Sequence, residues 1–371
     1  MSRVFKNIIV VVKQTPYEHY SNMRTQGTAP VALRWERLKN RYESHRKCVD
    51  DLVDVLKKVG IGYKVVMRQD LHRGLLTNTD LIIAVGGDGT VLNSSSFVDD
   101  SIPVLGVNSD PTRPEERGVM SVKDERRSKG ALCAATAANL DAVVPRILLG
   151  DIQPGRRARI QCLVRSTYTE TRLPPALNDI LFSHPIPAAV SRFRMFHCRG
   201  TVEPSYKPII DRDEIMSFNC WSSGIWISTP TGSTAAMCTL SSYDIINTSF
   251  FTLLNNKLFR LAAGGTVMDP HSTDIQYMIR EHLVEDNNSA SSFRTHGFIN
   301  PDCSLHMRWN SQNGCAFVDG SHFKHDLELG DEIRIDGHAP ALLMFDQIKE
   351  EGSRSFPSPS SSTEAFTPHR Y

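Results

Sequence analysis

The chain has 371 residues, a formal net charge of +1, 40% hydrophobic residues and 22% charged residues. Apolar content on that scale supplies a buried core and excludes a chain disordered throughout, and the length suggests two domains. Near-neutral charge without a long basic run gives no electrostatic case for nucleic acid, and apolar runs such as Ile8–Val12 and Leu81–Val85 are roughly a quarter of a membrane span.

The opening Met1-Ser2-Arg3-Val4-Phe5-Lys6 lacks a long apolar region with a cleavage site, so no secretory signal is expected. Asn7–Val12 suits a buried parallel strand. Tyr42, Val49, Leu52, Val53 and Leu56 recur at helical spacing, which predicts a helix over Leu38–Lys58 with Gly60 at its C-terminal cap. Strands are predicted at Tyr63–Met67, Leu81–Val85 and Pro103–Val107, and a helix over Ala131–Leu149 that ends near Gly150. Strands alternating with helices imply an α/β domain with a doubly wound parallel sheet over residues 1–150.

Beyond Gly150 the runs are short and bounded by Gly, Pro, Asn and Asp. They are Ala158–Val164, Ala176–Phe182, Val190–Phe196, Ile225–Ser228, Gln276–Ile279, Ser304–Trp309, Cys315–Val318 and Glu332–Ile335. This spacing predicts an antiparallel β-rich domain over 151–349, with a last strand able to return to the first domain. Residues 350–371 are Ser- and Pro-rich and are expected to form a disordered tail. None of the eight cysteines forms a C-x-x-C pair, so they read as reduced thiols filling core space.

Three segments carry chemistry. Leu81–Val85 runs into Gly86-Gly87-Asp88-Gly89-Thr90 and then a predicted helix. Glycines let a phosphate approach the backbone, and a helix N-terminus offers free N–H groups. Gly87 is expected to need a left-handed backbone that a β-branched residue would strain. The turn is neither a Walker A loop nor a full dinucleotide fingerprint, since Leu92 stands where a third glycine would. Asp88 would repel phosphate unless it serves the chemistry, by holding Mg²⁺ or by accepting a proton from an attacking hydroxyl. The plainer alternative is an Asp that caps its own helix. The second segment is Asn178-Asp179, ahead of the apolar Ile180-Leu181-Phe182, which could read hydroxyls and amides of a sugar or base. The third runs from Gly224 to Ala236 and includes Ser228-Thr229-Pro230-Thr231-Gly232-Ser233-Thr234-Ala235, a hydroxyl-rich turn where a ligand can approach closely or, more plainly, an N-cap cluster.

In this order the three segments resemble the NAD kinase family, over roughly residues 80 to 345. The first alone is shared with lipid kinases and, in similar form, with phosphofructokinases. Asp100–Pro111, Leu132–Thr136 and Pro187–Phe193 look like the plant-type NADH kinase branch. The resemblance implies an α/β domain and a β domain with the substrate between them. It implies a homodimer that phosphorylates the 2′-hydroxyl of the adenosine ribose of NADH, and NAD⁺ more weakly, with ATP and Mg²⁺ or another divalent metal. Carried over, Asp88 is the base or hydroxyl-orienting group. Gly86, Gly87, Gly89 and Thr90 cradle phosphate, with Asn108 near the nucleotide. Asn178 and Asp179 hold the dinucleotide, and Thr229, Thr231, Gly232, Ser233, Thr234 and Ala235 line its adenosine end. No metal ligand is assigned.

Most NAD kinases have Gly-Asp-Gly ahead of the third segment and a Tyr ending it, where this chain has Ser222-Ser223-Gly224 and Ala236. The NADH-type branch is similar here, which favours NADH. The alternatives are an NAD⁺-preferring kinase, a lipid kinase and a nucleotide-binding regulator without turnover. Roughly two dozen residues separate Cys238 from Ala263-Gly264-Gly265, where the family runs on almost directly. Phe251, Leu254, Leu258 and Leu261 recur there at helical spacing, yet the stretch reads as an insertion the core does not need. The ending His369-Arg370-Tyr371 is a poor match to a peroxisomal Ser-Lys-Leu, so a cytoplasmic location is expected. Three further features read as structural. His322 and His325 belong to a solvated turn, Arg156, Arg157 and Arg159 to a solvated strand edge, and Trp221, Trp226 and Trp309 to the core.

Overall fold

Branched apolar residues in an unbroken run are buried on both faces only in a strand covered from both sides, and Ile8–Val12 sits in such a strand. The computed structural model describes residues 5–112, 129–200, 214–239, 267–283 and 295–347. The predicted tail and the apolar stripe Phe251, Leu254, Leu258 and Leu261 lie outside the described residues. The first part runs β1 (Asn7–Val12), α1 (Pro16–Thr25), α2 (Trp35–Val59), β2 (Gly62–Met67), β3 (Leu81–Gly86), α3 (Asp88–Ser95), β4 (Val104–Asn108), β5 (Ala135–Thr136), α4 (Leu140–Leu148) and β6 (Gly155–Arg157). Its sheet has the order β2-β1-β3-β4-β19-β6, with β5 beside β4, where β19 (Leu342–Met344) arrives from the far end of the chain. Neighbouring strands are parallel except β6, which runs antiparallel to β19.

The two faces of this sheet carry different helices. Ile8, Val10, Val12, Leu81, Ile83 and Val85 pack with α2 and α4. Ile9, Val11, Ile82 and Ala84 pack on the other side with Val91 of α3. α2 ends where the sequence predicts, with Gly60 in the left-handed conformation at φ 70°. α1 escapes the apolar periodicity because none of its residues is buried. Its start is marked instead by a capping box between Thr15 and Glu18.

The predicted helix over Ala131–Leu149 is shorter than its propensity suggests. It begins at Leu140, and residues 131–136 form a turn and β5. Ala134 N–H donates to Gly106 O at 3.0 Å, and the Asn139 side chain accepts from Thr136 N–H at 2.7 Å. Those tertiary and side-chain bonds take the groups a helix would use.

The second part is a sandwich of two antiparallel six-stranded sheets. Its strands are β7 (Gln161–Arg165), β8 (Glu170–Arg172), β9 (Asp179–Ser183), β10 (Ser191–Arg199), β11 (Glu214–Ser222), β12 (Gly224–Ser228), β13 (Ile275–Arg280), β14 (His296–Ile299), β15 (Cys303–Trp309), β16 (Asn313–Val318), β17 (Phe323–Glu328) and β18 (Glu332–Asp336). The short helix α5 (Ala236–Thr239) follows β12. One sheet has the order β11-β10-β15-β18-β7-β8 and the other β14-β13-β12-β9-β16-β17. Phe193, Met195, Met307 and Trp309 from the first meet Ile180, Phe182, Ile225 and Ala316 from the second in one apolar core. Cys48, Cys133, Cys162, Cys198, Cys220, Cys303 and Cys315 are free and buried, and burial pushes the thiols of Cys48 and Cys133 up to about 12. No helix among the described residues is long and apolar enough to cross a membrane.

Two expectations for side chains are corrected. Arg157 and Arg159 are buried, and only Arg156 is at the surface. Arg157 pairs with Asp346, just after β19. Arg159 donates to Ser95 O and Val98 O at 2.9 Å and to Pro340 O at 2.6 Å, so it ties the end of α3 to the approach to β19. Trp309 lies in the core, but Trp221 is 43% exposed beneath the Arg192 guanidinium.

Arg159→Met would keep the aliphatic stem and remove the donor to three buried carbonyls. Each acceptor left unpaired in the interior costs about 1–3 kcal/mol. Denaturant unfolding of the variant is therefore expected to show a loss at least that large.

Candidate active site

At the end of β3 the glycines serve space rather than unusual backbone angles. Gly86, Gly87 and Gly89 are not among the positive-φ residues, and Gly87 is extended at φ −139°. The strain expected at Gly87 is therefore absent. Gly86 is the demanding position, because a Cβ there would run into Thr90 Oγ1 and stand 3.3 Å from Lys13 Cδ. Asp88 does not cap its own helix. It is the first residue of α3, behind the N-cap Gly87, and its Oδ1 accepts from Leu132 N–H at 2.8 Å. Asn108 pairs in register with Gly86 across β3 and β4, and its Oδ1 accepts from Asp110 N–H at 3.2 Å. Gly130 packs so closely on the Asn108 side chain that no Cβ fits between them.

The second and third segments are neighbours in one sheet, since Asp179 opens β9 opposite Ser228 at the end of β12. A Cβ on Gly232 would strike the Asn178 carbonyl, so only glycine lets these backbones touch. Thr229 N–H donates to Asn178 O at 2.9 Å, and Thr229 Oγ1 donates to Leu177 O at 2.5 Å while accepting from Gly232 N–H at 3.0 Å. Ser233 Oγ donates to Pro230 O at 2.7 Å and accepts from Met268 N–H at 3.1 Å. The hydroxyls of Thr229 and Ser233 therefore build the turn. Thr231 Oγ1 is buried without a hydrogen-bond partner among the described residues, while Thr234 is exposed and Ala235 half-buried. An orphaned hydroxyl of this kind is the group a ligand would satisfy.

The residue that sequence reasoning passed over is Asp319, at the turn between β16 and β17. Its carboxylate accepts from three consecutive N–H groups, Leu177 at 2.9 Å, Asn178 at 2.7 Å and Asp179 at 3.1 Å. Asp319 has φ 51°, and Gly320 follows at φ 97°. Its Asp-Gly pair is a turn signal in the sequence, but nothing local shows which backbone it captures. The same turn brings His322 Nε2 within 3.8 Å of where a Cβ on Gly89 would stand. The turn is thus engaged with the rest of the site, and His325 lies apart from it, opposite Ala316 in β17. Burial pushes Asp179 up to about 7, with the Asp319 charge adding to it. Burial also pushes Asp319 up to about 6, against the three N–H bonds.

Leu177 joins the two halves of the site. Its side chain is fully buried in the same apolar cluster as Val91 of α3 and Val104 of β4. The phosphate-type turn and the Asn178 segment therefore share one core.

Comparison with known proteins finds relatives over most of the chain. Residues 36–110 match the family described as the ATP-NAD kinase N-terminal domain. A probable NADH kinase from Oryza sativa subsp. japonica is 37% identical over 319 residues, covering 85% of this chain and 86% of its own length. The NADH kinase of Arabidopsis thaliana is 36% identical over 345 residues, covering 92% and 95%. In fold, the chain resembles yeast NADH kinase solved with NADH, at a TM-score of 0.57 and 15% identity, over 94% of this chain and 85% of that one. It also resembles an NAD kinase from Archaeoglobus fulgidus solved with ATP, at a TM-score of 0.55 and 16% identity, over 92% and 94%.

The raised carboxyl of Asp179 makes stability depend on pH. The folded group holds its proton to about pH 7, whereas the unfolded one releases it near 3.8, so the folded state is the better proton binder between those values. Stability from this group is present below the unfolded value and is lost as pH rises towards about 7. Melting temperatures across that window are expected to fall less steeply for Asp179→Asn than for the unsubstituted protein.

Proposed function

The chain belongs to the NAD kinase family, and on that footing we propose that it transfers the terminal phosphoryl group of ATP to the 2′-hydroxyl of the adenosine ribose of NADH, giving NADPH, with NAD⁺ the weaker substrate. The observation that carries the reading is the seam itself. Gly232 lies against Asn178, and Leu177 beside it shares a core with the helix that Asp88 begins. In this reading the phosphate donor and the dinucleotide meet where those segments meet.

Phosphoryl transfer asks for little covalent work from the protein, so positioning and charge neutralisation dominate. Asp88 orients the 2′-hydroxyl and accepts its proton as the new O–P bond forms and ADP leaves. Gly86, Gly87, Gly89 and Thr90 leave room for phosphate against the first N–H groups of α3. Asn178 and Asp179 hold the dinucleotide, and Thr231, Gly232, Thr234 and Ala235 line its adenosine end. No group of three His, Cys, Asp or Glu side chains suited to a metal occurs among the described residues. Asp88 would be the carboxylate to hold a divalent ion brought in with ATP. A divalent ion such as Mg²⁺, when bound, neutralises charge on the transferring phosphoryl group.

Preference for NADH rests on the turn between β11 and β12. Ser223 stands where most of the family has an acidic residue, and its Oγ is buried without a partner among the described residues. The charged ring of NAD⁺ would lack a counter-charge there, whereas a neutral dihydronicotinamide needs none. A homodimer in the cytoplasm is the assembly and location that accompany this reading.

Purified protein with ATP and Mg²⁺, offered NADH and NAD⁺ separately, is expected to make NADPH faster than NADP⁺. Asp88→Asn should lower kcat by about 10²–10⁴-fold and leave nucleotide binding intact. A variant rate within about threefold of the original would remove Asp88 from the chemistry.

A further inference from the structure

One cation at the carboxyl edge of the first sheet has no role in the site described so far. Lys13 follows the last residue of β1, and its N–H donates to Val85 O of β3. Connections leave β1 and β3 on opposite faces, since α2 follows β1 on one side and α3 follows β3 on the other. The carboxyl ends of these two adjacent strands therefore border a topological switch point, the crevice where open α/β sheets take their ligands.

The side chain of Lys13 lies along that crevice. Its Cδ stands 3.3 Å from the Cβ position that Gly86 leaves vacant. The ammonium makes no ion pair or hydrogen bond among the described residues. Burial lowers its proton affinity, the Asp110 carboxylate works the other way, and the Arg41 guanidinium repels it. The neighbouring His45 offers no relief, because burial and the Lys13 charge bring its pKa down to about 4 and keep it neutral. His45 Nδ1 is engaged with Ser109 Oγ at 2.8 Å. A half-buried ammonium without a paired anion among the described residues, at the edge of that crevice, calls for an anion from outside the chain.

Resting on the kinase reading above, we propose that Lys13 binds the phosphates of the donor nucleotide in the crevice between β1 and β3, beside Gly86.

The test uses the full chain, ATP, NADH and inorganic tripolyphosphate. Lys13→Met keeps the length of the stem and removes the charge. It is expected to raise the KM for ATP by about 10–100-fold, the effect of losing a charge-assisted bond. The KM for NADH should stay within about twofold, and Lys13→Arg should recover most of the ATP affinity. Tripolyphosphate, followed by calorimetry, should bind the unsubstituted protein and lose that binding in Lys13→Met. ATP KM and tripolyphosphate binding both unchanged in the variant would overturn the proposal, as would a rise confined to the KM for NADH. Lys13→Gln serves as a second variant, and failure of both to fold would assign the ammonium to packing and also overturn it. If the unsubstituted protein makes no NADPH, the kinase reading falls, and tripolyphosphate binding with and without Lys13 still decides where phosphate sits.

Discussion

A carboxylate that accepts three successive backbone N–H bonds is the constraint on which the site depends. Asp319 takes up the N–H groups of Leu177, Asn178 and Asp179, and so holds the start of β9 against the turn between β16 and β17. Burying a carboxylate is costly unless its oxygens are satisfied, and three N–H donors meet much of that need. The price of burial still shows in the raised proton affinity of both Asp319 and Asp179. Once Asn178 is held, the third segment has little freedom, because Gly232 touches its backbone and Thr229 bonds on both sides of it.

The sandwich and the first sheet are joined by packing and buried polar groups rather than by a linker alone. Leu177 enters the apolar cluster beneath α3, and Arg159 bonds to the carbonyls where α3 ends. β19 threads back between β4 and β6, with Arg157 paired to Asp346 behind it. The Leu177 and Arg159 contacts cross the seam between the two parts. Positioning across a seam is the main thing a phosphoryl-transfer enzyme must supply, so the polar groups buried there serve geometry as well as stability.

The division of labour within the hydroxyl-rich turn follows the same logic. Thr229 and Ser233 spend their hydroxyls on neighbouring backbone, which makes the turn rigid. Among the described residues Thr231 keeps an unsatisfied buried hydroxyl, and Asn178 keeps a half-buried side chain whose backbone is already secured. Rigid backbone with a few unclaimed polar atoms is how a protein recognises a ligand without having to reorganise.

Local signals in the sequence determined much of this protein. The branched runs of β1 and β3, the helical spacing that ends at Gly60 and the Gly-Gly-Asp-Gly-Thr turn depend on residues a few positions apart. Their physics is therefore readable without a fold. The motif segments were legible for the same reason, as strand ends followed by small or polar residues. What the tertiary structure decided involves partners distant in the chain. Asp319 captures backbone 141 residues earlier, and Arg159 bonds to a helix end 64 residues before it. β17, the largely charged Phe323–Glu328, is a strand because β16 pairs with it and its edge faces water. The helix expected from Ala131 begins only at Leu140, because Gly106 and Asn139 claim the groups it needed. Whether a polar side chain is solvated or buried is set by what folds over it, and neither composition nor spacing carries that information.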